Sequence, residues 1–217
     1  MKKVLISITS YDRKEMLLDL IAQLKGYDIV VYDDNSNFSI NGNFTFHRFY
    51  KNYGKKQAWR KFQRIFGFLL KDYSEYDYYF LLPDDVILCD DFINKSIEIY
   101  ESIKDNRKIC LSLLSDDRVN NPNWTEIHPV IKGDVIHTNW SDLCMLFERR
   151  FLEEVGDIKV SEERWDGNPD LGSGVGAVIS KTLFRKNLNQ YHSKESLVNH
   201  IGYKSKMNSD HHQPKEL

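Results

Sequence analysis

The sequence lacks the features that define several large protein classes. It has only three cysteines among 217 residues, and the odd number and wide spacing of Cys89, Cys110 and Cys144 fit neither a disulfide framework nor a zinc site. No apolar run approaches the length of a membrane span, and the opening run Val4 to Ile8 is too short for the apolar core of a secretion signal. These shortages predict a cytoplasmic protein with reduced thiols and no membrane span.

An excess of charge of one sign is lacking too. The chain has 30 basic and 32 acidic residues and a net charge of −2, so no overall field would draw it to nucleic acid or to a membrane. No glycine-rich phosphate loop is present either, because the cluster 172–176 has Gly-x-Gly-x-Gly spacing and no strand directly before it. What is present is 41% hydrophobic and 13% aromatic residues, enough for the sizeable core of a single domain.

The order of apolar patterns predicts an α/β fold. Val4 to Ile8 and Ile29 to Tyr32 are typical of buried strands, and the helical periodicity of residues 16–24 lies between them. A strand, a helix and a strand in this order form a βαβ unit, so the sheet begins parallel. The pair Asp12 and Glu15 resembles a capping box for the first helix. Further strands are expected at 44–49, 78–82, 109–114, within 136–147 and within 195–202, and further helices at 62–70, 91–103, 149–155 and 173–184.

Two of the predicted strands end in paired carboxylates. Asp33 and Asp34 follow the second strand, and Asp84 and Asp85 follow the run Tyr78 to Pro83. Ligands bind at the carboxyl ends of strands in an open α/β sheet, and adjacent carboxylates are tolerated there when a divalent cation or sugar hydroxyls compensate their charge. A plain turn is the alternative, because proline and aspartate both favour turns.

The segment Arg48 to Lys71 carries eight basic residues and no acid. Lys56, Arg60 and Arg64 are four residues apart and would share one face of a helix. That face is either a solvated surface of a core-packing helix, a clamp for a pyrophosphate, or a nucleic-acid surface with interleaved aromatic residues. Without a phosphate loop, the charge of a diphosphate must be neutralised by a metal and basic side chains, for which Asp85 and either Lys56 or Arg60 are the candidates.

Four segments together resemble the GT-A-fold glycosyltransferases, and the large inverting family 2 in particular. They are Ile6 to Tyr11, Val30 to Ser36, Leu81 to Val86 and Cys144 to Gly156, in the order that the family has them. The resemblance covers residues 4–183 and implies a Rossmann-like, mostly parallel sheet flanked by helices, with a smaller irregular acceptor-side half. It divides a single domain, 1–203, into a nucleotide-sugar half, 1–115, and an acceptor half, 116–203, followed by a polar tail, 204–217.

The resemblance also implies roles for individual residues. Thr9 and Tyr11 would meet the nucleoside, and Asp34 would bind the base, usually uracil. In the place of the metal-binding acidic motif, the so-called DxD, Asp84 would contact the ribose and Asp85 would hold Mn²⁺ or Mg²⁺. Here the sequence departs from the family, since Pro83 stands where many members have another acid. His200 matches C-terminal segments of relatives in which a histidine completes the metal shell; a structural histidine is the alternative.

Inverting transfer needs one carboxylate that takes the proton of the acceptor hydroxyl. By its place after the helix that ends at Gly156 and before the next helix, Asp170 matches the family's catalytic acid best, and Asp166 is its rival.

The expected function is a metal-dependent, inverting transfer of sugar from a UDP-sugar to a hydroxyl acceptor, a glycan in the first instance. One alternative is a phage-type glycosyltransferase that acts on a hydroxylated DNA base, which the basic segment motivates. Another is a non-catalytic, nucleotide-sugar-binding GT-A module, which Pro83 motivates. A nucleotidyltransferase would carry an early glycine-rich loop, whereas the first strand here ends in Thr9, Ser10 and Tyr11.

Overall fold

The structure, a computed structural model, describes residues 2–54, 57–115, 130–138, 144–156 and 174–201. In chain order, its strands and helices are β1 (Val4–Ser10), α1 (Lys14–Gln23), β2 (Asp28–Asp33), β3 (Thr45–Arg48), α2 (Ala58–Asp72), β4 (Tyr78–Pro83), β5 (Val86–Leu88), α3 (Phe92–Ser102), β6 (Lys108–Ser112), β7 (Val130–Lys132), β8 (Val135–Thr138), β9 (Met145–Phe147), α4 (Arg149–Val155), α5 (Val175–Arg185), β10 (Asn189–Ser193) and β11 (Val198–His200).

Nine strands form one mixed, mostly parallel sheet in the order β3-β2-β1-β4-β9-β6-β10-β8-β7. The first four are mutually parallel, as the predicted βαβ start requires. Strand β9 runs antiparallel between β4 and β6, while β10 is parallel to β6. A separate two-stranded sheet pairs β11 with β5. The predicted α/β class with helices flanking a mostly parallel sheet is confirmed.

Helices cover both faces of the sheet, which explains why its central strands are apolar along their whole length. Side chains of a strand alternate between faces, so in β4 Tyr79 and Leu81 pack into one core and Phe80 and Leu82 into the other. The first core includes α2, α4 and α5, and the second includes α1 and α3. Within the described ranges, no helix is long and apolar enough to cross a membrane.

The predicted capping box at α1 is wrong. The helix N-cap is Arg13, and no side-chain hydrogen bond caps the helix there. Asp12 instead adopts a left-handed conformation, with φ of 52°, and its carboxylate accepts a hydrogen bond from the backbone N–H of Asn37 at 2.9 Å. The turn between β1 and α1 is therefore tied to the loop after β2.

Strand β10 was not predicted, because its sequence, Asn-Gln-Tyr-His-Ser, lacks an apolar alternation. It nevertheless lies inside the sheet, with Gln190, Tyr191 and His192 each no more than 1% exposed. Its buried polar atoms have partners: the Ser180 hydroxyl lies 3.3 Å from the Gln190 amide oxygen, and Nδ1 of His192 lies 3.3 Å from the carbonyl of Leu114. Polar residues are tolerated in a sheet interior when they are bonded in this way.

Candidate active site

The candidate site lies between β1 and β4, where successive strands stop being added on one side of β1 and begin to be added on the other. The chain leaves β1 for β2 through α1 on one face of the sheet, and reaches β4 through α2 on the other face. Strands β1 and β4 are neighbours, with Thr9 opposite Pro83 at their carboxyl ends. A crevice opens at such a switch point, and ligands of open α/β folds bind there. The residues that follow the two strands, Ser10 to Arg13 and Asp84-Asp85, therefore meet at that crevice.

Asp84 is held from the β1 side by three donors. Its Oδ2 accepts hydrogen bonds from the Ser10 hydroxyl at 2.8 Å and from the backbone N–H of Tyr11 at 3.1 Å. Its Oδ1 accepts one from Nη1 of Arg13 at 3.1 Å. With 3% of its surface exposed, Asp84 is a buried carboxylate whose orientation is set by the turn after β1.

Arg13 joins the two adjacent carboxylates. The same nitrogen, Nη1, that bonds Asp84 also bonds Oδ2 of Asp85. The Arg13 side chain is 16% exposed and both aspartate side chains are 4% exposed, so this ion pair is largely shielded from water. The guanidinium thus offsets part of the repulsion between two negative charges that sit side by side.

His200 approaches Asp85 from the opposite direction. Its Nε2 lies 3.2 Å from Oδ2 of Asp85, and the backbone N–H of Ile201 donates to the Asp85 carbonyl at 2.9 Å. The pairing of β11 with β5 places His200 opposite Val86, the residue after Asp85. The structure therefore brings together the two residues that were expected to hold a metal.

One oxygen of this cluster has no hydrogen-bond partner in the described part of the chain. Oδ1 of Asp85 is buried and accepts no hydrogen bond from the described residues. A buried, unpaired carboxylate oxygen is costly unless a ligand or an ion completes it. No group of three or more His, Cys, Asp or Glu residues in the described ranges could hold a metal alone. Asp85 and His200 could therefore hold a Mg²⁺ or Mn²⁺ ion only together with ligands from outside the described residues, such as the water molecules that Mg²⁺ commonly keeps.

The two carboxylates differ in their affinity for a proton. Burial raises the pKa of Asp84 above its ordinary value, and the charge of Asp85 adds to the rise, against the opposing effects of Arg13, Ser10 and the backbone of Tyr11. Burial would also raise the pKa of Asp85, but the hydrogen bond and charge of His200 together with Arg13 outweigh it, so the pKa of Asp85 is lowered. Asp85 is thus the more strongly acidic of the two carboxyl groups.

Asp34 lies next to this cluster, at the end of β2. Its backbone N–H donates to the carbonyl of Ser10 at 2.8 Å. Its carboxylate accepts from the backbone N–H of Tyr53 at 2.9 Å and lies 3.5 Å from Nζ of Lys61. Asp34 and Lys61 are both buried, with 1% and 5% exposure, so Asp34 holds the segment before α2 against β2.

Three of the remaining predicted residues lie within the described ranges: Thr9, Tyr11 and Arg60. Thr9 and Tyr11 are half-buried at the end of β1 and in the turn after it. Arg60 is exposed on α2, with its guanidinium carbon 4.9 Å from the centre of the Trp59 ring. Lys56, Asp166 and Asp170 lie outside the described residues.

A basic aromatic surface, formed by Tyr50, Lys51, Tyr53 and Arg64, adjoins Asp34. Tyr50 is 71% exposed. Nζ of Lys51 lies 5.9 and 5.4 Å from the ring centres of Tyr50 and Tyr53, and the guanidinium carbon of Arg64 lies 5.6 and 6.0 Å from the same rings. Cations over aromatic faces form such contacts readily. The surface presents positive charge and a ring to solvent close to the crevice.

Sequence reasoning missed three residues that organise the site: Ser10, Arg13 and Lys61. Ser10 and Arg13 follow β1 directly, so the rule that strand ends carry ligand-binding residues could have identified them. Lys61 stood among many basic residues, but it lies three residues after Ala58 and four before Ile65, so helical spacing could have placed it on the buried face of α2, unlike the exposed Lys71.

The chain matches no protein-family model, and no curated protein matches it. Among solved structures, it is similar to a glycosyltransferase involved in the glycosylation of the major capsid of PBCV-1. That likeness has a TM-score of 0.40 and 13% sequence identity, and covers 86% of this chain and 77% of the other.

Proposed function

We propose that this protein is a GT-A-type glycosyltransferase that moves a sugar, with inversion, from a nucleotide diphosphate sugar to a hydroxyl group. The donor is UDP-linked and the acceptor is a glycan. The observation that carries this proposal is the buried Asp84-Asp85 pair at the carboxyl ends of β1 and β4, with His200 brought against Asp85 by a separate small sheet. A plain turn would leave such a pair exposed, whereas here Oδ1 of Asp85 is buried with no hydrogen-bond partner among the described residues, which is costly unless a ligand completes it.

The donor nucleotide would lie along the ends of β1, β2 and β4. Thr9 and Tyr11 would line the nucleoside pocket, Asp34 would bind the base, and Asp84 would accept from ribose hydroxyls. Two hydrogen bonds of Ser10 support this placement: its carbonyl accepts from the backbone N–H of Asp34, and its hydroxyl donates to the Asp84 carboxylate. Arg60 and Lys56 are the proposed cations for the phosphates, because arginine and lysine both neutralise phosphate oxygens.

Asp85 and His200 would hold Mn²⁺ or Mg²⁺ together with the donor diphosphate. When bound, the ion supplies positive charge for the leaving diphosphate. The lowered pKa of Asp85 keeps that carboxylate ionised, and the β5–β11 pairing keeps His200 within reach of it.

In the transfer, the acceptor oxygen forms a bond to the anomeric carbon from the face opposite the diphosphate. The bond from that carbon to the diphosphate oxygen breaks, and the diphosphate keeps the electron pair. The acceptor proton passes to a carboxylate, for which Asp170 is proposed and Asp166 is the rival. The sugar carbon is inverted because one displacement occurs.

The test is thermal unfolding with UDP, GDP or TDP, each with Mn²⁺, with Mg²⁺ and with a chelator. A ligand that binds only the native state raises the midpoint, so a metal-dependent rise with UDP is expected. That rise should disappear in Asp85→Ala and persist in Asp90→Asn, which removes an exposed carboxylate nearby. No rise with any nucleotide would overturn the proposal.

An assay of sugar transfer distinguishes a glycosyltransferase from a module that only binds the nucleotide sugar. Release of UDP from UDP-sugars, measured with a panel of glycan acceptors, should be lost in Asp170→Asn while UDP binding remains. Binding of UDP without any turnover in the unaltered protein would favour the non-catalytic module.

A second candidate acceptor is a hydroxylated base in DNA, and the basic aromatic surface favours it. Tyr50 and Arg64 are exposed beside the crevice, where a backbone phosphate and a base could be bound. Binding to duplex DNA that weakens steeply with salt would support this acceptor. Absence of binding at low salt would remove it and leave the glycan.

A further inference from the structure

We propose that Arg13 is an internal cation that competes with the divalent metal for the Asp84-Asp85 pair and is released by the donor diphosphate. Metal and nucleotide would then bind cooperatively. This inference rests on the proposed metal site at Asp85 and His200, and it assigns to Arg13 the control of when that site accepts an ion.

The Asp84-Asp85 pair already has one positively charged partner, the guanidinium of Arg13. Nη1 of Arg13 bonds both Asp84 and Asp85, and the Asp85 oxygen that it bonds is the one next to His200. The other oxygen of Asp85 is buried without a hydrogen-bond partner among the described residues. Arg13 thus bonds Oδ2 of Asp85, whereas Oδ1 of the same carboxylate remains for a ligand.

A divalent ion on Asp85 would lie close to the guanidinium, with little water between them. Two like charges at such a distance repel strongly where exposure is low. The ion and the Arg13 contact therefore disfavour each other, and the ion alone should bind weakly. A diphosphate changes this balance, because its oxygens offer the guanidinium a second anionic partner of the kind that arginine binds best.

Competition of this kind must be reciprocal. If the diphosphate draws Arg13 away and so tightens metal binding, the metal must tighten diphosphate binding by the same factor. Removing the Arg13 charge should therefore raise the affinity for the metal alone and reduce the effect of the nucleotide on it.

The test is the binding of Mn²⁺, followed by the electron paramagnetic resonance signal of the free ion, with and without UDP. The unaltered protein should bind Mn²⁺ weakly alone and more tightly with UDP. Arg13→Gln should bind Mn²⁺ alone roughly tenfold or more tightly than the unaltered protein, because one neighbouring charge is removed. The matched control is Lys14→Gln, which removes an exposed charge one residue away and should behave as the unaltered protein.

Thermal unfolding gives a second measurement that needs no nucleotide. With a chelator, Arg13→Gln should unfold at a lower temperature, since the buried pair loses its cation, and Mn²⁺ alone should restore the midpoint more than in the unaltered protein. If Arg13→Gln does not fold, Arg13→Met, which keeps the aliphatic volume and removes the charge, should bind Mn²⁺ more tightly than the unaltered protein does.

The experiment distinguishes failure of the Arg13 proposal from failure of the proposed metal site. Folded Arg13 variants that bind Mn²⁺ no more tightly than the unaltered protein, while UDP and Mn²⁺ still bind together, would overturn the role of Arg13 and leave the metal site intact. Absence of Mn²⁺ binding in every variant, even with UDP, would overturn the metal site and this inference with it.

Discussion

Nε2 of His200 lies 3.2 Å from Oδ2 of Asp85. Two short strands create this contact: β11 runs antiparallel to β5, and His200 stands opposite Val86. The backbone N–H of Ile201 closes the arrangement by donating to the carbonyl of Asp85 at 2.9 Å. A residue near the end of the described chain is thereby fixed beside the acid that follows β4, so the imidazole and the carboxylate act as one unit.

Substitution of His200 by glutamine should weaken the metal-dependent binding of UDP by about tenfold or more, because side chains that hold or orient metal ligands commonly contribute that much. Thermal shift with UDP and Mn²⁺ measures the loss. The control is Asn199→Ala, which alters the same strand at a position facing the other way. A full shift in His200→Gln would assign the histidine a purely structural role.

Asp84 and Asp85 should affect stability in opposite directions. The pKa of Asp84 is raised from 3.8 in the folded protein. At a pH between 3.8 and the raised pKa, the Asp84 carboxyl group is therefore protonated to a larger extent in the folded state than in the unfolded chain. Stability due to Asp84 is therefore highest at low pH and falls as pH rises through the raised pKa. Asp84→Asn should therefore stabilise the free protein at neutral pH, while it weakens nucleotide binding.

For Asp85 the sign is reversed. Its pKa is lowered from 3.8, so its contribution to stability is present above that pH and is lost as pH falls toward the lowered value. Asp85→Asn should therefore destabilise the protein at neutral pH and flatten the loss of stability in acid. Denaturant unfolding of both variants between acid and neutral pH measures the two slopes, and shifts of the same sign in both would contradict the assignment.

The buried pair of Lys61 and Asp34 predicts a large cost for Lys61→Met. Nζ of Lys61 lies 3.5 Å from Oδ2 of Asp34, and both side chains are buried. Removal of the lysine charge leaves an uncompensated carboxylate, which should lower the free energy of unfolding by about 3 kcal/mol. Lys71→Met, at an exposed position of the same helix, should cost little. In a double-mutant cycle, Asp34→Asn should recover part of the loss. Equal losses from Lys61→Met and Lys71→Met would show that the pair contributes nothing.

The basic aromatic surface should matter for an anionic polymer and not for free UDP. If the acceptor is DNA, Arg64→Gln should weaken duplex binding and lower the salt dependence by about one phosphate contact. Its matched control is Arg185→Gln, which removes an exposed charge on α5. An unchanged salt slope in Arg64→Gln would place the DNA contact elsewhere, and an altered affinity for UDP alone would indicate a role in donor binding instead.

The sequence predicted those parts of the fold that depend on local pattern. Strands β1, β2 and β4 are apolar along their length because both faces are covered, and α1 and α2 carry a periodic apolar face. The placement of Asp34 and Asp84-Asp85 at strand ends followed from the same pattern, since a parallel sheet collects its carboxyl ends at one edge. These elements are specified by neighbours within a few residues along the chain.

The sequence by itself thus determined an α/β chain with paired acids at the ends of its buried strands. Only the tertiary structure decided what those acids touch. His200 reaches Asp85 through backbone pairing of β11 with β5, and backbone hydrogen bonds leave little trace in residue identity. Arg13 reaches the carboxylates because Asp12 adopts a left-handed turn tied to Asn37. Such contacts join segments that are distant along the chain, and so their geometry is set by how the whole sheet packs and not by any local pattern.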